Sequence, residues 1–395
     1  MKLVSYLKEG LDQLALLHDH HLYDVDSLHE GLPANMGEFL KNWEDKYLLA
    51  LISEKLLEEG KTDTSKGIPY HSVQILAPVP FPTSFRDGYA FRQHVAAARR
   101  NRKADMIPQF DQYPIFYFAN HHSIQGPGKV ACMPDHLDKL DFELEAAIVI
   151  CKKGRNIKAE KADEYIGGLI ILNDLSARKL QMEEMLLNLG PAKGKDFATT
   201  IGPWLVTVDE LEQFEVPAKE NHIGKSWNLK MTCKVNGVKV SEGNLGDMDW
   251  TFAEIIERAS YGVYLYPGDI IGSGTVGTGC FLELNGTGKL NDPNYKDEGF
   301  DNMLIFANEH KLNFPYLIDE SQDVARVYGA VCTPDPFLLD ADHKLVFHGR
   351  INDALEPEAR PTVPVMENNI RKLLRGEKIE KDFDPSIGCS IKWKN

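Results

Sequence analysis

The sequence has few cysteines, and none of them stands in a pattern that binds metal or forms a redox pair. The six cysteines lie far apart, with no C-x-x-C pair and no cysteine–histidine cluster at zinc spacing. We therefore predict reduced thiols in a cytoplasmic protein. Long apolar runs are also absent, since none reaches the about 18 residues that a membrane helix needs. Charges interrupt residues 1–10, where a signal peptide would carry its apolar stretch.

Positive charge is scarce as well. The 395 residues include 44 lysines and arginines against 59 acids, a formal net charge of −15. Such a chain lacks the broad positive field that phosphate backbones attract, so we expect neither nucleic acid nor an anionic membrane as a partner. A small anionic substrate needs only a local cationic pocket and is compatible with this charge. With 43% hydrophobic and 26% charged residues, the composition is typical of a folded chain of two or three domains.

The pattern of apolar and polar residues changes twice along the sequence, which predicts three domains. Residues 1–75 are predicted to be mostly helical, with a helix from Glu38 to Glu59. After a proline-rich link, residues 76–295 are predicted to be β-rich, and residues 296–395 read as helix–strand–strand–helix. The predicted elements are the strands Phe142–Cys151, Tyr165–Asp174, Pro267–Ile271 and Cys280–Leu284, a hairpin in Trp227–Val240 with an Asn236-Gly237 turn, a helix near 300–307, a hairpin of Phe337–Leu339 with Lys344–His348, and a helix at 366–374.

Paired carboxylates on a predicted buried strand are the most unusual local feature. Glu143 and Glu145 point to the same face of the strand Phe142–Cys151. Their desolvation and repulsion are costly unless a positive charge compensates, and the alternative is a solvated edge strand. Asp174 ends the next apolar strand, and Asp87 lies in the segment Phe85–His94. Each of these two acids could instead cap a helix or form a turn. If the four converge, their hard oxygen donors suit Mg²⁺, Ca²⁺ or Mn²⁺ rather than zinc.

Basic and polar side chains follow these acids in the sequence. Arg178 and Gln181 are three residues apart and share one face of a predicted helix, and Lys195 follows in Pro191–Thr200. These groups could bind an anionic substrate near the acids, and the alternative is an ordinary solvated helical face.

Five motifs, taken in order, resemble those of the fumarylacetoacetate hydrolase family, and within it the two-domain fumarylacetoacetase-type enzymes. The resemblance covers about residues 70–295, and residues 1–75 match the family's smaller N-terminal domain only weakly. It implies a mixed α/β fold with a β-rich catalytic domain, usually dimeric, although the sequence leaves the oligomeric state open. The motifs are Arg86–His94, Asp141–Glu145, Leu172–Arg178, Gly194–Thr200 with Gly202–Trp204, and Gly272–Thr275 followed by Leu282–Leu284.

The resemblance also implies the residues of the site. His94, oriented by Glu283, would deprotonate a water that attacks a carbonyl of a β-diketo acid, so that a C–C bond breaks hydrolytically. A divalent metal, Mg²⁺ or Ca²⁺ with Mn²⁺ as a further option, would polarise the carbonyl oxygens. Its implied ligands are Asp87, Glu143, Glu145 and Asp174. The groups implied to meet the developing enolate charge are Arg178, Gln181 and Lys195, with Tyr89 and Thr275 as substrate contacts.

Two departures from the family pattern leave the acyl group of the substrate open. Met185 stands where vertebrate-type enzymes carry a substrate-binding tyrosine, and one extra residue precedes Gly194. Relatives with similar metal-binding acids cleave acylpyruvates or decarboxylate oxaloacetate. The resemblance implies hydrolysis of a β-diketo acid such as fumarylacetoacetate, a reaction of aromatic amino-acid catabolism. Because of these departures, an acylpyruvate hydrolase and a 2-oxoacid decarboxylase are the alternatives.

Residues 297–395 resemble a different family, the C-terminal part of a thioredoxin-like redoxin. The resemblance implies a fusion that lacks the last strands of the hydrolase sheet and the first strands of the redoxin. Cys332 and Cys389 are then candidate redox thiols, and a docking module in a catalytically impaired fusion is the further alternative. Thr333-Pro334 would be the cis proline of that fold. The matching stretches are Phe314–Ala330, Cys332–Asp335, Phe337–Asp340, Lys344–Arg350 and Pro385–Lys394.

Overall fold

The computed structural model divides into two compact units, Met1–Asn302 and Met303–Asn395. Within the part of the chain that it describes, no helix is both long and apolar enough to cross a membrane. The described residues are 1–101, 105–286, 311, 313–315, 317, 319, 321–354, 360–386, 389–391 and 393.

A twelve-stranded sheet forms the centre of the first unit. Its middle strands, Ile166–Asp174 and Leu144–Ile150, pair antiparallel. Ile270–Gly272 then links Leu144–Ile150 to the strand Phe85–Gly88, with which it is parallel. The strand order is Ile68–Pro69, His21–Asp24, Leu11–His18, Lys2–Lys8, Leu205–Thr207, Ile166–Asp174, Leu144–Ile150, Ile270–Gly272, Phe85–Gly88 and Phe116–Ala119, with Thr199–Ile201 and Ile124–Gln125 joined beside the end of Ile166–Asp174.

Both faces of the middle strand Leu144–Ile150 are buried. The even-numbered residues of the strand Leu144–Ile150 pack into one core with the helix Phe252–Ser260, and Ala147 and Val149 pack into a second core that includes residues of the helices Met36–Lys41 and Trp43–Glu58. Strands that are buried on both faces read as continuous apolar runs. The predicted strands Phe142–Cys151 and Tyr165–Asp174 are accordingly confirmed to within two residues at each end.

The prediction that residues 1–75 are mostly helical is wrong at their start. Lys2–Lys8, Leu11–His18 and His21–Asp24 are strands that pair in sequence, and the first of them also pairs with Leu205–Thr207. Their buried residues form unbroken stretches instead of an alternating pattern, so the strand period is hidden. The sheet therefore runs across the boundary predicted at residue 75.

The helix predicted from Glu38 to Glu59 is present as two helices, Met36–Lys41 and Trp43–Glu58, separated at Asn42. The predicted hairpin is also confirmed, as Lys230–Val235 and Val238–Asn244 joined by Asn236 and Gly237, both at positive φ. Among its described residues, the first unit also contains the α-helices Val25–Leu28, Arg92–Asn101, Ala159–Ala162, Arg178–Met185, Val208–Leu211, Phe252–Ser260 and Phe281–Gly286. It also contains the strand pairs Leu140–Asp141 with Ser176–Ala177, Gly154–Arg155 with Tyr264–Leu265, and Glu215–Val216 with Ser226–Trp227.

The strand predicted at Cys280–Leu284 is wrong, because the chain forms the helix Phe281–Gly286 there. The backbone N–H groups of Phe281 and Leu282 donate hydrogen bonds to the carboxylate of Asp141. The first N–H groups of a helix have no partner within it, so an acceptor at this point favours a helix start. Since that acceptor lies 140 residues earlier in the chain, the local sequence gives no sign of it.

The second unit contains a three-stranded sheet. Phe337–Leu339 pairs antiparallel with Leu345–Gly349, which pairs parallel with Phe383–Asp384, and the predicted hairpin is thereby confirmed. The helix Val365–Leu374 confirms the last predicted helix, and the Thr333-Pro334 bond is cis. The helix predicted at Phe300, Met303, Leu304 and Ala307 lies outside the described residues. The described residues of this unit also form the helix Asp323–Tyr328 and the strand pair Cys332–Thr333 with Cys389–Ser390.

Candidate active site

Three strands of the central sheet bring carboxylates together at one place. Asp87 lies on Phe85–Gly88, Glu145 on Leu144–Ile150, and Asp174 ends Ile166–Asp174. One carboxylate oxygen from each lies within 4.8 Å of the other two, and all three side chains are buried. The sequence predicted these residues as metal ligands, and the fold brings them together from positions far apart in the chain.

Gly272 makes this approach possible. Its strand runs between the strands of Asp87 and Glu145, with Gly272 in register with Asp87 on one side and Ala147 on the other. A Cβ atom at this position would overlap Oδ1 of Asp87 and lie 3.4 Å from Oε2 of Glu145. A residue without a side chain therefore leaves the space into which both carboxylates point.

Neighbouring donors hold most of these carboxylate oxygens in place. The hydroxyl of Thr275 donates to Oε1 of Glu145 (3.1 Å), and the phenol of Tyr117 donates to Oδ2 of Asp174 (2.6 Å). Oε2 of Glu145 is buried and has no hydrogen-bond partner among the described residues. Tyr117 was not predicted, because it stands in an aromatic stretch, Phe116–Phe118, in which no residue suggests a polar role. Thr275, predicted as a substrate contact, contacts an acid here.

Two cations lie beside the acids, and both contact Glu143, which is not one of the three clustered carboxylates. Nζ of Lys195 lies 2.6 Å from Oδ2 of Asp174 and also contacts Oε2 of Glu143. Nη2 of Arg178 lies 2.8 Å from Oε1 of Glu143. Arg178 in turn donates from Nη1 to Oε1 of Gln181 (3.0 Å), as the predicted shared helical face requires. The structure thus gathers three of the four predicted metal ligands, while Glu143 is paired with Lys195 and Arg178.

The positive charge near the three clustered carboxylates does not fully compensate their negative charge. Burial, reinforced by the charge of Asp174, raises the pKa of Asp87 to about 7, and burial raises the pKa of Glu145 well above its usual value. Burial also raises the pKa of Asp174, although the Lys195 ammonium opposes the shift. For Glu143, burial is outweighed by Lys195 and Arg178, so its pKa is lowered. Full ionisation of the three clustered acids is therefore unfavourable with the charges at hand.

The residues present fit a hard divalent cation. Asp87, Glu145 and Asp174 offer oxygen donors at short mutual distances, and one of these donors, Oε2 of Glu145, is buried without a partner. Carboxylate oxygens in such a set suit Mg²⁺, Ca²⁺ or Mn²⁺. A cation there would also offset the repulsion that raises the pKa values of these acids.

A buried histidine–glutamate pair lies in the same part of the unit. His94 is on the helix Arg92–Asn101, whose first N–H donates to Asp249 (2.7 Å), and Glu283 is on the helix Phe281–Gly286. Nδ1 of His94 lies 3.1 Å from Oε2 of Glu283, and both side chains are buried. Because an ionised carboxylate only accepts hydrogen bonds, this contact places the proton on Nδ1 and leaves Nε2 as the basic nitrogen.

These groups share one cavity of about 360 Å³. All of the predicted site residues line it except Asp174 and Glu283, which contact the lining residues Lys195 and His94. The predicted substrate contact Tyr89 lies on the wall, with its ring edge-on to His94 at 5.9 Å. The lining also has an apolar part, which consists of residues that include Ile107, Ile115, Met182, Met185 and Leu282.

Fold and site together define a mixed α/β protein with a buried carboxylate cluster and a buried histidine–glutamate pair. The model of the fumarylacetoacetate (FAA) hydrolase C-terminal domain matches residues 83–301, and the chain belongs to this family. Its relatives include proteins named as fumarylacetoacetases and as oxaloacetate tautomerases. The predicted membership of the fumarylacetoacetate hydrolase family is thereby confirmed for residues 83–301, whereas no such match supports the redoxin-like tail.

Two relatives show the range of the likeness. The human protein named oxaloacetate tautomerase FAHD2A, mitochondrial, is 36% identical over 266 residues, which are 65% of this chain and 74% of that protein. The fumarylacetoacetase of Arabidopsis thaliana is 34% identical over 177 residues, 38% of this chain and 42% of that one.

Solved structures share the fold. A putative HpcE protein from Mycobacterium smegmatis superposes with a TM-score of 0.52 at 23% identity, over 72% of this chain and 89% of that one. Maleylpyruvate hydrolase from Sphingobium sp. SYK-6, solved with manganese(II) and pyruvate, superposes with a TM-score of 0.52 at 21% identity, over 71% and 90% of the two chains.

Proposed function

We propose that this chain is a divalent-metal-dependent hydrolase that cleaves a C–C bond of a β-diketo acid such as fumarylacetoacetate. The observation that carries the proposal is the His94–Glu283 pair beside the same cavity as the carboxylate cluster. Hydrolysis needs a base for water, a way to polarise a carbonyl and donors for an enolate leaving group, and the cavity wall offers residues suited to each role.

Asp87, Glu145 and Asp174 would hold the metal, with Glu143 beside them. When bound, the cation supplies Lewis acidity toward the substrate's oxygen atoms. Nε2 of His94 takes the proton of the attacking water, and the Glu283 carboxylate stabilises the imidazolium that results. Arg178 and Lys195 present positive charge to the carboxylate and enolate oxygens of the substrate, and Gln181 fixes the guanidinium of Arg178.

Tautomerisation of oxaloacetate is the second candidate, favoured by the likeness to the human relative. It needs proton transfer at carbon and oxygen but no attacking water. Hydrolysis of an acylpyruvate and decarboxylation of a 2-oxoacid remain alternatives, since these reactions also pass through the enolate of a carboxylic acid.

The deciding experiment follows loss of the enol absorbance of an acylpyruvate, of fumarylacetoacetate and of oxaloacetate, with Mg²⁺ or Mn²⁺ and with EDTA. We expect metal-dependent cleavage into two acids, lost in His94→Ala and retained in His121→Ala, a control on a histidine outside the cavity. Conversion of oxaloacetate without cleavage of any diketo acid would favour the tautomerase. Turnover that persists undiminished in EDTA, or in His94→Ala, would contradict both.

We propose a homodimer in the cytoplasm as the assembly and location, although the human relative is named as mitochondrial. For the tail, thiol redox activity or docking by a redoxin-like segment stays the alternative. Burial and the carboxylate of Asp335 raise the pKa of Cys332, which opposes a reactive thiolate. Disulfide reduction that disappears in Cys332→Ser, without any need for metal, would support the redox alternative.

A further inference from the structure

Asp141 is a buried acid that does not line the cavity but contacts two of the elements that do. It ends the short strand Leu140–Asp141, which pairs with Ser176–Ala177 just before the helix Arg178–Met185. The side chain is 1% exposed. A carboxylate so deeply buried needs partners for its charge and its lone pairs.

The partners of Asp141 come from both sides of the site. Nε of Arg178 donates to Oδ2 at 2.8 Å, and Nη2 of the same guanidinium lies 2.7 Å from Oδ2. The N–H of Phe281 donates to Oδ1 at 2.7 Å, and that of Leu282 to Oδ2 at 3.1 Å. One carboxylate therefore joins the guanidinium of Arg178, which lines the cavity, to the helix that carries Glu283.

We propose that Asp141 is a positioning residue that keeps Arg178 and the His94–Glu283 pair at a fixed separation. The inference rests on the proposed function, since it concerns the same cavity. Glu283 lies one residue beyond the second N–H that Asp141 accepts, so the start of its helix cannot move without breaking those bonds. Arg178 has the rotamer freedom of a long side chain, which its ion pair with Asp141 removes.

Asp141→Asn and Asp141→Glu separate this role from plain packing. Asparagine has the shape of aspartate but sets an NH₂ group against either the guanidinium or the helix N–H groups, all of which are donors. Glutamate keeps the charge but adds a methylene to a tight site. A positioning role predicts that Asp141→Glu is the more active variant, while a packing role predicts the reverse order.

For Asp141→Asn we expect kcat to fall and KM to rise, each at least tenfold, in folded enzyme loaded with Mn²⁺. The matched control is Asp269→Asn, a buried acid 3.8 Å from Arg86 that does not line the cavity. It should unfold at a lower temperature with kcat and KM unchanged. Equal kinetic losses in both variants, or full activity of Asp141→Asn, would overturn the proposal.

Binding of oxalate to the Mn²⁺-loaded chain keeps this test independent of the proposed reaction. If the unchanged protein binds oxalate but turns over no oxo acid, the proposed function fails while Asp141 can still be tested. We then expect Asp141→Asn to bind oxalate at least tenfold more weakly, and Asp269→Asn to bind it as the unchanged protein does. Equal oxalate affinity in all three proteins would overturn the positioning role.

Discussion

Lys195→Met tests whether the acids of the site depend on positive charge. Lys195 is 6% exposed and contacts Glu143 and Asp174, so methionine removes a buried cation and leaves the shape of the side chain nearly unchanged. Breaking a buried ion pair costs about 3–5 kcal/mol. Because Glu143 keeps Arg178 and Asp174 keeps Tyr117, we expect the lower end, about 3 kcal/mol. In the first unit, a loss of about 3 kcal/mol lowers the temperature of the unfolding midpoint by about 5 °C.

Calorimetry in EDTA and in Mg²⁺ measures this effect. A divalent cation supplies the missing charge, so Mg²⁺ should bind Lys195→Met more tightly and, at equal concentration, stabilise it more than the unchanged protein. At 100 times its own dissociation constant, each protein gains about 2.7 kcal/mol. Lys179→Met is the matched control, since Lys179 follows Arg178 on the same helix and pairs with Asp138 at the surface. Lys179→Met should leave the unfolding midpoint unchanged both in EDTA and in Mg²⁺. A Lys195→Met variant that is as stable as the unchanged protein in EDTA, or that gains no more from Mg²⁺, would refute the reasoning.

Three further outcomes follow from contacts in the first unit. Gly272→Ala puts a methyl group against Asp87, so we expect Mg²⁺ to lose its effect on the unfolding midpoint in calorimetry; a shift like that of the unchanged protein would contradict the crowding. Tyr117→Phe removes the hydrogen bond to Asp174, which should lower stability by about 1–2 kcal/mol in urea titrations, and no change would show that bond to be dispensable. Burial raises the pKa of Cys151 to about 12, so only about one thiol in 10⁴ is ionised at pH 8. Iodoacetamide should label it, by peptide mass spectrometry, only after unfolding.

The acids and bases of the site could be predicted from the sequence because each stands in a short motif with an unusual local pattern. Glu143 and Glu145 are conspicuous as charges in an apolar strand, and Asp174 as an acid at the end of one. Their convergence could not be derived from spacing, since it depends on strand order. The resemblance to a family supplied it instead, and the register across Gly272 gives the physical reason.

Contacts between distant segments account for what the sequence did not predict. The helix that carries Glu283 begins where Asp141 accepts its first N–H groups, and no local pattern encodes a partner 140 residues away. Tyr117 has no polar neighbours in sequence that mark it, and only the fold brings its phenol to Asp174. The strands of residues 2–24 escaped prediction because burial on both faces erases the alternation on which strand prediction depends.

Charge balance connects the carboxylate cluster to the kind of substrate the cavity can accept. Four acids, Asp87, Glu143, Glu145 and Asp174, face two cations, Arg178 and Lys195, and Arg178 is shared with a fifth acid, Asp141. Once the clustered acids ionise, an anionic oxo acid entering this region would meet an excess of negative charge, and Coulomb repulsion is strong in a buried site. A divalent cation would lower the repulsion among the clustered acids and would therefore also make the cavity attractive to an anion. Removal of the metal should consequently abolish oxalate binding as well as turnover, and oxalate binding of equal strength in EDTA would show that Arg178 and Lys195 suffice by themselves.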